Sequence, residues 1–289
     1  MPPDTNAYVY PMYDVLLTFG DSMTQYGGDP QTGGYVAYLS EQYQRQMDVL
    51  NRGFSGYNTT VARQIIHSVL PKSPFYMLEP SPNTTDTTSN TTSSTSANIN
   101  INTNTIWPDR DDTFPNQTGT LRICIFFFGA NDASNETWHQ HTPLDAYGDN
   151  LQYFASLLQS PSSEHYSPDT NIIFITPPPV NERMVEASAR AGNLPAVFTN
   201  ESARKYADMV KTVAERVNAP YVDLNARIEQ MVANVRAQLQ YNNTNGFEGY
   251  DQYLIDGVHL NELGNRLLFT MIMQAIESNW PELSPSKPP

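Results

Sequence analysis

Apolar residues fall along this chain in short runs that alternate with longer stretches of three-and-four spacing. Val15-Leu16-Leu17-Thr18-Phe19 is such a run, bounded by Asp14 and by Gly20-Asp21-Ser22, and it predicts a strand buried on both faces. Helix-like spacing follows over Tyr35–Tyr43, then a second strand over Met47–Asn51 that leads into the glycine-bearing loop Arg52-Gly53-Phe54-Ser55-Gly56. Val61, Ile65, Ile66, Val69 and Leu70 mark one face of the next helix, with Thr59 or Thr60 as its expected cap. Leu121–Phe128 is the most apolar segment and is expected to be a central strand, ending in Gly129-Ala130-Asn131-Asp132.

A helix is expected over Leu144–Gln159 and a fourth strand over Asn171–Thr176, stopped by Pro177-Pro178-Pro179. A loop is expected next, with Asn181 and Arg183 facing a ligand. Ala203, Tyr206, Ala207, Val210, Val213, Ala214 and Val217 then line one face of a helix from Asn200 to Val217. A short strand at Pro220–Leu224, a helix from Asn225 to Leu239 and a terminal helix beginning near Asn261 complete the pattern. Strands alternating with helices imply parallel pairing and right-handed crossovers, hence an α/β fold with a three-layer doubly wound sheet of about five strands.

Composition changes this picture at one place. Between Ser81 and Thr105, 20 of 25 residues are Ser, Thr or Asn, too polar to offset the entropy of ordering. Residues 79–120 are therefore expected to be a surface insertion within a single domain over 14–278, with 1–13 and 279–289 as flexible termini. A net charge of -14 argues against nucleic acid or an anionic membrane surface as partner. The single cysteine, Cys124, has no partner for a disulfide within the chain. No leader pattern or membrane-length apolar run is present, so a cytoplasmic location is expected.

Three of the expected strands end in polar loops, which parallel pairing sets side by side: Ser22 after the first, Gly56 after the second, Asn131 after the third. Acyl transfer needs a nucleophile flanked by N–H donors aimed at the oxygen that becomes negative. The backbone N–H groups of Ser22 and Gly56 and the side-chain amide of Asn131 would supply three. A serine also needs a base. His259 has a carboxylate three residues earlier in a loop opening a helix, and Asp256 is placed to orient its ring. His139 and His141 lack a third ligand near them in sequence and are read as solvated side chains rather than a metal pair.

Phe19-Gly20-Asp21-Ser22, Gly56, Gly129-Ala130-Asn131-Asp132 and Asp256-Gly257-Val258-His259 stand in the order of the four sequence blocks of the GDSL or SGNH hydrolases, which this chain resembles. It is similar in particular to the isoamyl acetate-hydrolysing esterase branch, through Arg52–Tyr57, Phe127–Ala133, Pro177–Val180 and Leu254–Leu260. That resemblance implies a flavodoxin-like sheet, a Ser22–His259–Asp256 triad and the oxyanion hole of Ser22, Gly56 and Asn131; no cofactor or metal is expected. Three departures bear on substrate preference or are foreign to the branch: the polar insertion, Thr60-Val61 in place of Arg-Trp, and Met23 after the serine. The expected activity is hydrolysis of small carboxylic esters through an acyl-Ser22 intermediate. An acyltransferase using the same intermediate and a non-catalytic binding domain remain as alternatives.

Overall fold

A computed structural model describes residues 13–73, 119–239 and 247–285. The expected insertion falls outside the described residues except for Gly119 and Thr120, and the expected N-terminal tail falls outside them except for Tyr13. Five strands form one parallel sheet: β1 (Asp14–Gly20), β2 (Met47–Gly53), β3 (Leu121–Phe127), β4 (Asn171–Ile175) and β5 (Tyr221–Val222). Their order is β2-β1-β3-β4-β5, so the chain winds one way from β1 to β2 and the other way from β1 through β3. The direction reverses between β1 and β3, the point at which doubly wound sheets open a crevice at their carboxyl ends.

Successive side chains of a strand point to opposite faces. Leu16, Ile123, Ile125, Ile173 and Ile175 therefore enter one core, with α2 (Tyr35–Gln42), α7 (Leu224–Leu239) and α8 (Glu262–Asn279) packed over them. Leu17, Phe19, Cys124, Phe126 and Phe174 enter the other, beneath α3 (Thr59–Val69), α4 (Leu144–Gln159) and α6 (Asn200–Arg216). The unpaired Cys124 is fully buried in this second layer. β3 is central, as its unbroken apolar run implies, whereas β2 with Asp48, Asn51 and Arg52 takes an edge. No helix among the described residues is long and apolar enough to cross a membrane.

Several expectations need correcting. The segment after the three prolines is not a ligand-facing loop: Glu182–Arg190 forms helix α5. Asn181 caps it, its Oδ1 accepting from the Met184 N–H, and Arg183 is exposed on its surface. Thr59 and Thr60 lie inside α3, whose cap is Asn58. β5 contracts to two residues because α7 begins at Leu224, with Asp223 Oδ1 accepting from the Ala226 N–H. After α8 the described residues are anchored where a flexible tail was expected. Pro281–Leu283 makes a 3-10 turn, Leu283 is buried, and its carbonyl accepts from the Tyr43 hydroxyl.

Candidate active site

Every residue singled out for chemistry lies at the carboxyl edge of the sheet or in the loop before α8. β1 runs into Gly20, where a Cβ would sit 2.1 Å from Thr24 Oγ1 and 2.5 Å from the Phe127 carbonyl oxygen, so no larger residue fits. The chain turns there directly into the short helix α1 (Ser22–Tyr26). Asp21 is the cap, its Oδ1 taking the Met23 N–H at 2.9 Å, and Ser22 is the first helical residue. A first-turn N–H has no acceptor within its own helix. Neither the Ser22 nor the Gly56 N–H donates to another described residue.

Residues 237 apart in sequence meet at the serine: Ser22 Oγ lies 2.9 Å from His259 Nε2. The other ring nitrogen, Nδ1, is 2.7 Å from Asp256 Oδ2. The carboxylate fixes the proton on Nδ1, which leaves the Nε2 lone pair to accept from the serine hydroxyl. Asp256 Oδ1 in turn accepts from the Val258 and His259 N–H groups at 3.0 and 2.8 Å, so the carboxylate is clamped by the turn it belongs to.

That turn is held from outside. Gly257 has φ +97°, a left-handed value that favours glycine, and a Cβ there would lie 2.7 Å from both the Asn181 carbonyl oxygen and the Val185 N. The Asn181 N–H donates to the Gly257 carbonyl at 3.0 Å. Asn181 thus braces the Asp256 turn against the start of α5, a different task from the one expected of it.

Asn131 is buried, and one hydrogen of its Nδ2 goes to the Tyr57 carbonyl at 2.9 Å. An amide carries two such hydrogens, so one remains. Its neighbour Asp132 accepts from the Thr59 N–H and hydroxyl at 2.9 and 2.6 Å, placing a carboxylate on the N-terminus of α3. These two adjacent side chains tie the β3 loop to the β2 loop and so fix Gly56 relative to Asn131. Asn51 performs the same service between β2 and α1, donating to the Thr24 carbonyl and accepting from the Gly53 N–H, both at 2.8 Å.

Burial by itself would lower the pKa of His259, but the hydrogen bond and charge of Asp256, with the charge of Asp21, hold it above its ordinary value. Asp256 moves the opposite way: desolvation raises it, and the bonds from His259 and the turn bring it below the usual carboxylate range. Asp21 is fully enclosed, and desolvation pushes its pKa up to about 7 despite the Met23 N–H and the nearby imidazole. Burial likewise lifts Asp132 to about 6.

Sequence reasoning gave Asp21, Asp132 and Asn51 no part in the site. For Asp21 a signal existed, since Asp is among the favoured residues just before a helix start. Two apolar side chains border the triad turn, Tyr26 with its ring 5.9 Å from that of His259 and the exposed Ile255. The histidines set aside as non-ligands lie in the loop after β3, His139 exposed and His141 Nδ1 bonded to the Ser134 carbonyl at 2.8 Å.

Comparison with known proteins identifies the family of the chain. The model of the GDSL-like lipase/acylhydrolase family matches residues 18–267. An isoamyl acetate-hydrolyzing esterase 1 homolog of Mus musculus is 27% identical over 285 residues, covering 94% of this chain and 89% of the relative. A GDSL esterase/lipase of Arabidopsis thaliana is 26% identical, covering 95% of this chain and 89% of its own. Among solved structures, a lipase/acylhydrolase from Enterococcus faecalis superposes with TM-score 0.51 at 19% identity, over 95% of this chain and all of its own. The acetyl xylan esterase AlAXEase gives 0.54 at 17% identity, over 91% and 99%. At these identities the structural likeness establishes the fold. The family match extends over most of the sequence, from within β1 to within α8. The chain belongs to the GDSL-like lipase/acylhydrolase family and is a carboxylic ester hydrolase.

Proposed function

We propose that the protein is a serine esterase that hydrolyses small carboxylic esters of short acyl groups, acetate foremost, through an acyl-Ser22 intermediate. The observation that carries this reading is the continuous chain Ser22 Oγ–His259–Asp256, at 2.9 and 2.7 Å, beside unengaged N–H groups. In acylation, Ser22 Oγ attacks the carbonyl carbon while His259 Nε2 takes its proton. Asp256 stabilises the resulting imidazolium without being protonated itself. The carbonyl oxygen becomes an oxyanion held by the Ser22 and Gly56 N–H groups and the remaining Asn131 hydrogen. Collapse breaks the C–O bond, and the imidazolium gives its proton to the departing alcohol. Water then repeats the sequence on the acyl-enzyme, releasing the acid and restoring Ser22.

Preference for acetate is supported by the names of the relatives, isoamyl acetate-hydrolyzing esterase homologs and acetyl xylan esterases. A cytoplasmic setting forms part of the same proposal, supported by a single, buried, unpaired cysteine.

The test uses a fluorophosphonate probe and nitrophenyl acetate, butyrate and octanoate. Labelling at Ser22, lost in Ser22→Ala together with turnover, and the highest kcat/KM on acetate are expected. Equal turnover in Ser22→Ala overturns the assigned nucleophile. Product appearing only when an acceptor alcohol is added would identify an acyltransferase.

A further inference from the structure

On the opposite rim of the sheet from Ser22, three side chains outside the catalytic cluster converge. His67 lies near the C-terminal end of α3, about 12 Å along the helix from Thr59 at the site end. Glu164 and His165 come from the connection between α4 and β4. His67 Nδ1 is 2.9 Å from His165 Nε2 and 3.4 Å from Glu164 Oε1, and His165 Nε2 is 3.6 Å from the same oxygen. Three potential ligand atoms therefore mark one small triangle. Ligands bound tetrahedrally at zinc distances are about 3.3 Å apart, a value these three separations bracket.

The outward-facing atoms of both rings are also engaged. His165 is fully buried, and its Nδ1 is 2.9 Å from the Pro71 carbonyl, which keeps the proton on Nδ1 and the Nε2 lone pair directed at the triangle. His67 Nε2 is 2.7 Å from the Tyr153 hydroxyl on α4. A carbonyl or hydroxyl on the far nitrogen is the usual companion of a metal-bound imidazole, because it fixes the tautomer and the ring plane. Lys72 Nζ is 3.6 Å from Glu164 Oε2, the other carboxylate oxygen, and leaves Oε1 on the histidine side.

A single proton between His67 Nδ1 and His165 Nε2 accounts for their separation, and a metal ion accounts as well for the carboxylate oxygen that converges on both. We infer that His67, Glu164 and His165 form a zinc-binding site, with water completing the coordination, that pins the end of α3 to the loop between α4 and β4. Two imidazoles and one carboxylate suit Zn2+, as they do other first-row divalent ions such as Fe2+, rather than Mg2+ or Ca2+, which favour oxygen ligands. Coordination through His67 Nδ1 requires the ring proton on Nε2, where the Tyr153 hydroxyl oxygen accepts it. The site departs from the sequence-based expectation of no metal. Its ligands are separated by 97 positions, a spacing that no local motif reveals.

The test uses the full chain, produced without a metal-affinity tag, stripped with a chelator and titrated with Zn2+. One ion per chain is expected, together with a thermal midpoint raised by about 5 °C at a hundredfold excess over Kd. His67→Gln is the informative variant, because its side chain is partly exposed and glutamine keeps a polar group there. It should retain the apo midpoint, bind Zn2+ more than ~10-fold more weakly and lose the shift, while Tyr153→Phe weakens binding ~10-fold. Hydrolysis of nitrophenyl acetate should not respond to Zn2+ or chelator, so failure here is separable from failure of the esterase reading. Equal Zn2+ binding by wild type and His67→Gln would assign the metal to other groups, the exposed His139 among them, and overturn the proposal. So would the absence of saturable binding.

Discussion

Asp21 caps α1 close to the imidazole of His259, the proposed general base, and its burial sets its own pH behaviour. Its pKa near 7 exceeds the ordinary carboxylate value, so its folding contribution is full while it is protonated and erodes as pH rises from about 4 to about 7. Asp21→Asn keeps an acceptor for the Met23 N–H and removes the buried charge. The variant should be more stable than wild type by about 1–3 kcal/mol at pH 8, with the difference vanishing near pH 4; denaturant melts at both pH values measure it. His259, whose pKa is also raised, contributes fully below about pH 6.5 and loses that contribution as pH passes its folded value. Asp256, lowered, contributes above about pH 4 and loses its share as pH falls through its folded value. Since His259 must be neutral to act, kcat/KM should rise with pH through a limb above about 6.5, and Asp21→Asn should move that limb to lower pH. At the oxyanion, Asn131→Ala should lower kcat by ~10²–10³ with a smaller change in KM, read from steady-state kinetics. An unchanged kcat would remove Asn131 from the reaction. The sequence reached Ser22, His259 and Asp256 because each lies in a short block with its own turn signal. It gave Asp21 no role, because an adjacent acid titrates near 7 only when distant chain encloses it.

Among the helices longer than five residues, α5 is the one the pattern concealed. Of Glu182–Arg190 only Met184 and Val185 are buried, and two adjacent apolar residues after three prolines do not make a helical stripe. The cap was nevertheless legible, since Asn followed by Glu in the first turn is a common helix start. The missed helix matters because its start braces the turn that carries Asp256, the proposed partner of His259. Gly257→Ala would force a Cβ into the Asn181 carbonyl and Val185 N at a left-handed φ. Loss of about 1–3 kcal/mol of stability and a clear fall in fluorophosphonate labelling rate should accompany it, although no reacting group is altered. Unchanged labelling would mean that α5 does not position Asp256. β5 and α7 illustrate a related limit: the apolar run at Pro220–Leu224 reads as strand throughout, but pairing with β4 lasts only two residues before Asp223 starts a helix.

Across the molecule, stability rests on two apolar layers, one on each face of the sheet. The outer of these toward α4 is unusually aromatic, Phe19 having ring contacts with Phe54, Phe126, Phe128 and Phe154 at 4.9–6.4 Å. Phe19→Ala should cost about 3–5 kcal/mol and lower the thermal midpoint by roughly 10 °C, while the surviving folded fraction keeps its labelling by the probe. Within that frame the sequence alone determined the alternation of strand and helix, the central place of β3, the acidic surface charge and the blocks that carry the serine, the amide and the histidine. Each of these is written in residues a few positions apart: an apolar run, a glycine at a turn, a carboxylate three places before a ring. What only the tertiary structure decided lies between segments far apart in the chain. It includes the 2.9 Å meeting of Ser22 and His259, the raised pKa of Asp21, the bracing of Asp256 by Asn181 and the triangle of His67, Glu164 and His165. The physical reason is that turns and caps are satisfied by near neighbours, whereas desolvation and convergence depend on which distant surfaces the packed sheet brings together.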